Sequence, residues 1–312
     1  MKALRKNKRI GDSRNKLNRH NALFLFCGVA LPLIQFLIFY VYTNFSSIML
    51  AFTGSNGEFT FYNFSRMFKE LELATSSLRI AFRNTMITFA IQMVTFPFKV
   101  LVSYFIYKKV PGYGLYRIVF FLPTVLFSVC TAMVFTRLVG VNGFIAKAVG
   151  EWLNLGYVPE LLADSRFANI TVLLEMVWLQ FPGDLVIWSG TFARIPEEVL
   201  ESGQIDGTNW WTEFTRIVVP MVWPTVALRM VLLFSGIFSA SGSVFLLTRG
   251  EYGTMTLSAW QYIKLLEHSG ASYSSYGYNY LSAVGLLLTI VAVGISLIVR
   301  KITDRYFTDV EF

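Results

Sequence analysis

The segment 196–207 reads PEEVLESGQIDG and carries four carboxylates, Glu197, Glu198, Glu201 and Asp206, with no cation among them. Such an acidic, glycine-notched segment is out of place between two long apolar runs. The chain has only His20 and His268, and its two cysteines, Cys27 and Cys130, both lie in apolar runs. Neither a metal site nor a disulfide framework is suggested. A membrane-embedded enzyme would call for His/Asp/Glu clusters or Ser/Lys pairs at one depth, and the charges here are isolated. No Walker A pattern occurs, so ATP hydrolysis by that route is excluded. The expectation is a non-enzyme with no catalytic or metal-ligating residues. Ser202-Gly203 and Gly207 form a small-residue notch that lets another backbone come close. Glu201 beside it could anchor a basic residue.

Local signals predict how the segment folds. Pro196 suits a first helical turn, where its missing N–H costs nothing. Glu197 and Glu198 then sit at the positive end of the helix dipole. Asp206-Gly207 signals a turn. Thr208 or Asn209 can cap a second helix through Trp210, Trp211, Phe214 and Ile217. Pro220 and Pro224 mark the return to an apolar run. The result is a helix–turn–helix with one apolar face, formed roughly by Leu200, Gly203, Gly207, Trp210/Trp211, Phe214 and Ile217. Without a partner it would be an amphipathic surface element.

The surroundings are apolar. Of 312 residues, 54% are hydrophobic and 15% charged, against about 25% charged in a typical soluble domain. Mean hydropathy is +0.53. Six segments are long and apolar enough to cross a bilayer: 22–43, 83–106, 118–138, 168–192, 221–246 and 281–299. The first is too long for a signal-peptide core and lacks a small-residue cleavage site. Residues 1–21 form a basic tail holding eight Lys/Arg. The apolar run begins at once after it, which favours a membrane anchor over nucleic-acid binding, and no nucleic-acid partner is expected.

With the tail inside, the inner segments hold sixteen Lys/Arg and the outer segments seven. The positive-inside rule then puts both termini, including the tail 300–312, in the cytoplasm. The outer loops are 44–82, 139–167 and 247–280. The loop 193–220 faces the cytoplasm between spans four and five. The fold class read here is all-α integral membrane, with six transmembrane helices and a core over 83–299.

At this point the loop resembles the EAA loop of permease subunits of bacterial type I ABC importers. That pattern is Glu-Ala-Ala, three residues, Gly, nine residues, Ile, one residue, Leu-Pro. Here Glu201-Ser202-Gly203 is followed by three residues and Gly207, then nine more to Ile217, then Val218 and Val219-Pro220. The departures are Ser202, Gly203 and Val219, all small for small or apolar for apolar. Arg83-Asn84-Thr85, Leu122-Pro123, Gly140-Val141-Asn142-Gly143 and Leu247-Thr248-Arg249-Gly250 also resemble family segments, in order along most of the chain. The nearest group is the first-permease, MalF-like type of carbohydrate importers.

The resemblance implies that the loop is a coupling helix docked on a cytoplasmic ATPase. It implies an ATPase-coupling set of Glu201, Ser202, Gly203, Asp206, Gly207, Ile217 and Pro220. Glu201 would be the polar anchor, Gly207 the turn, and Ile217 and Pro220 the hinge back into the membrane. The implied partners are a second permease subunit, two ABC ATPase subunits, an extracytoplasmic solute-binding protein and the bilayer of a bacterial cell membrane. No cofactor is expected in this chain; ATP and Mg would be used by the ATPases.

Polar residues inside spans mark candidate functional sites. Gln92 and Lys99, Glu175, Gln180 and Asp184, and Arg229 qualify. For a sugar path the candidates are Trp178, Gln180, Asp184, Ser235, Phe238 and Ser239, near an expected helix break at Pro182-Gly183. Ser and Gly in such helices also serve ordinary packing. The reading is a permease for a sugar or oligosaccharide. The rivals are a permease for glycerol-phosphate or a peptide, and a multi-pass scaffold or enzyme. A cluster of basic residues in the path would favour an anionic cargo, and Lys99 and Arg229 alone make a thin case for one.

Overall fold

The structure is a computed structural model, and it describes residues 24, 26, 28–54, 56–241, 243–270 and 275–306. The basic tail 1–21, the opening of the 22–43 run, Gly242, Tyr273 and residues 307–312 lie outside the described residues.

The elements in chain order are α1 (Gly28–Ala51), α2 (Tyr62–Glu72), α3 (Ser77–Tyr107), α4 (Tyr113–Val125), α5 (Ser128–Val139), α6 (Phe144–Trp152), α7 (Ala168–Phe192), α8 (Glu197–Ile205), α9 (Trp210–Met221), α10 (Trp223–Ser235), α11 (Val244–Leu247), α12 (Leu257–Gly270) and α13 (Ser275–Tyr306). Among the described residues the β-structure is an isolated antiparallel bridge, Thr53 to Phe59. Among the described residues five stretches are long and apolar enough to cross a membrane: α1, α3, Ser128–Trp152, α7 and Gly277–Arg305. A sixth is counted if α9 and α10 form one span, bent by 76°.

The helices differ from the apolar runs for local reasons. The hydroxyl of Ser76 accepts a hydrogen bond from the Leu78 N–H at 3.3 Å, so α3 starts at Ser77, ahead of residue 83. The run 118–138 is not one helix. It parts into α4 and α5 at Leu126-Phe127, which are extended, with ψ of 145° and 143°. Pro123, just upstream, withholds the N–H that would hold the preceding turn. The run 221–246 also breaks: α10 ends at Ser235 and the next helix is α11 at Val244. Pro182 behaves differently. No break forms at Pro182-Gly183, and α7 runs through it from Ala168 to Phe192.

Helix α3 has 31 residues, about 46 Å at 1.5 Å per residue, and it joins the two ends of the bundle. At one end Leu78 and Ala81 pack with Met67 of α2, Leu257 and Trp260 of α12, and Tyr280 and Val284 of α13. At the other, Val100 and Tyr104 pack with Trp188 and Phe192 of α7, Leu200 of α8, Phe214 and Val218 of α9 and Val226 of α10. The C-terminal end of α13 lies at this second end, where the Trp223 indole N–H reaches the Thr303 carbonyl at 3.5 Å.

Lipid is as apolar as leucine, so hydrophobic burial does little to drive such helices together. Close packing and buried polar links do more. Asn84 donates to the carbonyls of Gly253 and Met255 at 2.6 and 2.8 Å, and the Thr85 hydroxyl accepts from the Leu257 N–H at 2.9 Å. These bonds fix α3 to the approach to α12. Outward faces are left apolar and bare, as on α1 (Ile34, Leu37, Phe39) and α13 (Ile290, Val293, Leu297).

Candidate functional site

Three helices turn one face each towards a common cleft of about 490 Å³. From α3 come Gln92, Phe96 and Lys99; from α7, Gln180, Gly183, Asp184 and Ile187; from α10, Arg229, Leu232 and Leu233, followed by Gly236. Each set recurs at three-, four- and seven-residue steps, the repeat of a single helical face. Gly236 stands where α10 stops, so the interrupted span opens onto the cleft. Irregular backbone at membrane depth is tolerated where it lines a cavity.

The polar members meet. Lys99 Nζ is 3.0 Å from Asp184 Oδ2 and donates to Gln180 Oε1 at 3.1 Å. Arg229 Nη2 contacts the other carboxylate oxygen, Asp184 Oδ1. Lys99 and Asp184 are buried, while the Arg229 side chain is 28% exposed. One carboxylate therefore ties three spans together and leaves the guanidinium at the open side.

Of the six path residues expected from sequence, Gln180 and Asp184 line this cleft, and the other four do not. Trp178 lies on another face of α7 and stacks on Phe135 at 6.2 Å. Phe238 packs on Phe82 at 6.2 Å. Ser235 and Ser239 are exposed at the end of α10 and in the break beyond it. Lys99, Arg229 and Gln92 belong to the cleft, and the matching spacing 92/96/99, 180/184/187 and 229/232/236 is the signal that groups them. Glu175 is fully buried elsewhere on α7. Its oxygens make no well-formed hydrogen bond among the described residues, with Ser243 alongside.

The second feature is the loop between α7 and α10. Pro196 sits at the N-cap of α8, and Glu197 and Glu198 occupy its first turn. Helix α8 ends in a Schellman turn: the Gly207 N–H bonds to the Gln204 carbonyl at 3.0 Å and the Thr208 N–H to the Gly203 carbonyl at 3.0 Å. Gly207 has φ of +77°, which favours glycine. Asn209 caps α9, its Oδ1 accepting from the Thr212 N–H at 2.8 Å. Within α9 the backbone widens to a π turn over Phe214–Val218. It lies just before Pro220, which has no N–H to give the preceding turn. The chain then bends by 76° into α10.

The underside of this loop is packed on the chain itself. Leu200, Phe214 and Val218 join the α3–α7 core. Gly203 faces the same way: a Cβ there would lie 2.8 Å from Ile217 Cδ1 and 3.3 Å from Thr208 Oγ1. Its smallness makes room for Ile217, so the expected notch for a partner closes on the loop's own second helix. Glu213 is buried under the loop. Its Oε1 accepts from the Tyr104 hydroxyl at 3.0 Å and lies 2.6 Å from Lys108 Nζ. The sequence reading assigns no role to Glu213 or Lys108.

The top is bare. Glu197, Glu198, Glu201, Ser202, Asp206 and Gly207 are exposed, and Ile205 is 86% exposed. Ile217 and Pro220 are half-buried at the base. Trp210 and Trp211, expected on the apolar underside, are about half exposed, at 52% and 53%. An isoleucine ringed by carboxylates, held on a rigid two-helix platform, is a surface that can grip a partner with an apolar pocket and a basic rim.

No protein-family model matches the chain. It is 22% identical over 280 residues to the multiple sugar-binding transport system permease protein MsmF of Streptococcus mutans, covering 88% of this chain and 93% of that protein. It is 28% identical over 232 residues to the osmoprotective compounds uptake permease protein GgtC of a Synechocystis species, covering 72% and 80%. Among solved structures it is similar to a chain of a bacterial ABC transporter involved in the import of the acidic polysaccharide alginate. The TM-score is 0.76 at 20% identity, with 92% of this chain and 96% of that chain covered. The relatives are permeases of ABC transporters, sugar systems among them, and the fold is that of an ABC importer permease.

Proposed function

We propose that this chain is a permease subunit of an ATP-driven ABC importer, carrying a sugar or oligosaccharide across a bacterial cell membrane. It works with a second permease subunit, two cytoplasmic ABC ATPase subunits and an extracytoplasmic solute-binding protein that delivers the cargo. The chain has no catalytic residues of its own; ATP and Mg belong to the ATPases. Its six spans are α1, α3, the α4–α5 region, α7, the bent α9–α10 pair and α13. Both termini are cytoplasmic, and the loop 193–220 is the coupling element.

The carrying observation is the two-sided loop. Its underside is welded to α3 and α7, the helices that also line the charged cleft, while its acidic, isoleucine-tipped top is uncovered. A push on the top of α8 passes through Leu200 to Tyr104 in the shared core, where Glu213 and Lys108 also meet, and α3 carries it towards Lys99. The cleft is the segment of the translocation path that this subunit supplies.

The test is co-purification with the cognate ATPase and measurement of ATP hydrolysis. Wild type should capture the ATPase, and Glu201→Lys and Ile205→Asp should lose it. Normal capture and hydrolysis by both variants would sink the coupling reading. A second reading, uptake of a non-sugar osmolyte, takes its support from the relative named for osmoprotective compounds. Uptake of such a solute, with none of any saccharide, would favour it.

A further inference from the structure

The charged members of the cleft lining are Lys99, Asp184 and Arg229. Two cations against one carboxylate leave a net positive charge. Asp184 is fully used, one oxygen on each cation. Lys99 is buried and satisfied by Asp184 and Gln180. Arg229 is the member that reaches the open cleft, and a guanidinium's five N–H donors exceed what one carboxylate oxygen can accept. A net charge at membrane depth is costly and marks function. An anion that arrives with the cargo and leaves with it would balance that charge. A neutral sugar would find the carboxylate already engaged by both cations and the excess positive charge unanswered.

Resting on the importer reading above, we propose that the cleft selects an anionic saccharide of the uronate type. The sugar carboxylate pairs with the outward N–H groups of Arg229 while Asp184 stays locked to Lys99. The apolar lining, Phe96, Leu179, Ile187, Leu232 and Leu233, offers the sugar's C–H faces a surface. Gly183 and Gly236 keep the walls clear of side chains.

The experiment uses the full chain assembled with its partner subunits and reads binding of two probes by intrinsic tryptophan fluorescence. The probes are trigalacturonate and its fully methyl-esterified form, of nearly equal size but differing in charge. The acid should bind at least about tenfold more tightly than the ester, the scale of one charge-assisted contact. Arg229→Gln should abolish the difference and Arg229→Lys should keep most of it, which controls for misfolding. Equal affinity for the two probes, no binding of the acid, or a preference unchanged in Arg229→Gln overturns the proposal. ATP hydrolysis is measured on the same preparation. A complex that hydrolyses ATP but ignores the probe's charge refutes the anion selectivity alone, whereas failure to assemble with an ATPase refutes the importer reading.

Discussion

Lys108 and Glu213 meet at 2.6 Å, and the same Glu213 oxygen accepts the Tyr104 hydroxyl at 3.0 Å. This contact joins the end of α3 to the second helix of the loop. Glu213 is 4% exposed and Lys108 26%. Removing one partner of a well-buried pair costs roughly 3–5 kcal/mol. Lys108 is partly hydrated and Tyr104 remains, so Lys108→Met should cost about 1–2 kcal/mol. The expected phenotype is uncoupling, with ATP hydrolysis near normal and uptake per ATP reduced. Parallel losses in both would assign the pair to folding alone.

The top of the loop should behave differently from its base. Ile205 and Glu201 are exposed on the top of α8, so Ile205→Asp and Glu201→Lys should leave thermal stability unchanged. An interface anchor is worth about 2 kcal/mol or more, roughly thirtyfold in affinity. Titration of the purified ATPase against each variant should show that loss. A fall in melting temperature without a fall in affinity would move both residues to a structural role.

Gly203 and Gly207 are constrained by different physics. Gly207 sits at φ of +77° with nothing near a would-be Cβ, so Gly207→Ala should cost about 1–2 kcal/mol from backbone strain. Gly207→Asn should cost less, because asparagine tolerates that region. Gly203→Ala should cost only about 1 kcal/mol, because its Cβ meets Ile217 Cδ1, the end of a side chain that can turn aside. Ile217→Val removes that atom, so the double variant should recover part of the loss. A purely additive double-mutant cycle would refute the contact.

The sequence announced the loop well. Pro196, Asp206-Gly207 and Asn209 act within a few residues of themselves, so their caps and turn follow from local chemistry. It announced less of what lies underneath. Gly203 reads as a surface notch because nothing local says that Ile217, fourteen residues on, folds back over it. Glu213 reads as one more loop acid because its partners come from a different helix. The cleft is the clearest case. Lys99, Asp184 and Arg229 look isolated in the chain, and it takes the packing of α3, α7 and α10 to make them one group. The span breaks divide the same way: Pro123 precedes a parting of helices, whereas Pro182 is absorbed within α7, and proline alone does not distinguish them.

The cleft's charge balance predicts an order of damage. Lys99→Met removes one cation and leaves Asp184 paired with Arg229 one to one. Asp184→Asn instead leaves Lys99 and Arg229 side by side with no carboxylate, in a site where Lys99 is 4% exposed. Breaking a buried pair from the acid side should therefore cost the larger amount, roughly 3–5 kcal/mol, against about 1–2 kcal/mol for Lys99→Met. Thermal unfolding in detergent, followed by tryptophan fluorescence, should rank wild type above Lys99→Met and Lys99→Met above Asp184→Asn. The double variant Lys99→Met/Asp184→Asn should unfold no earlier than Asp184→Asn alone, because it removes one of the two opposed cations. If Lys99→Met proves the more damaging single change, Asp184 is held by something other than the two cations, and the shared-carboxylate account of the cleft fails.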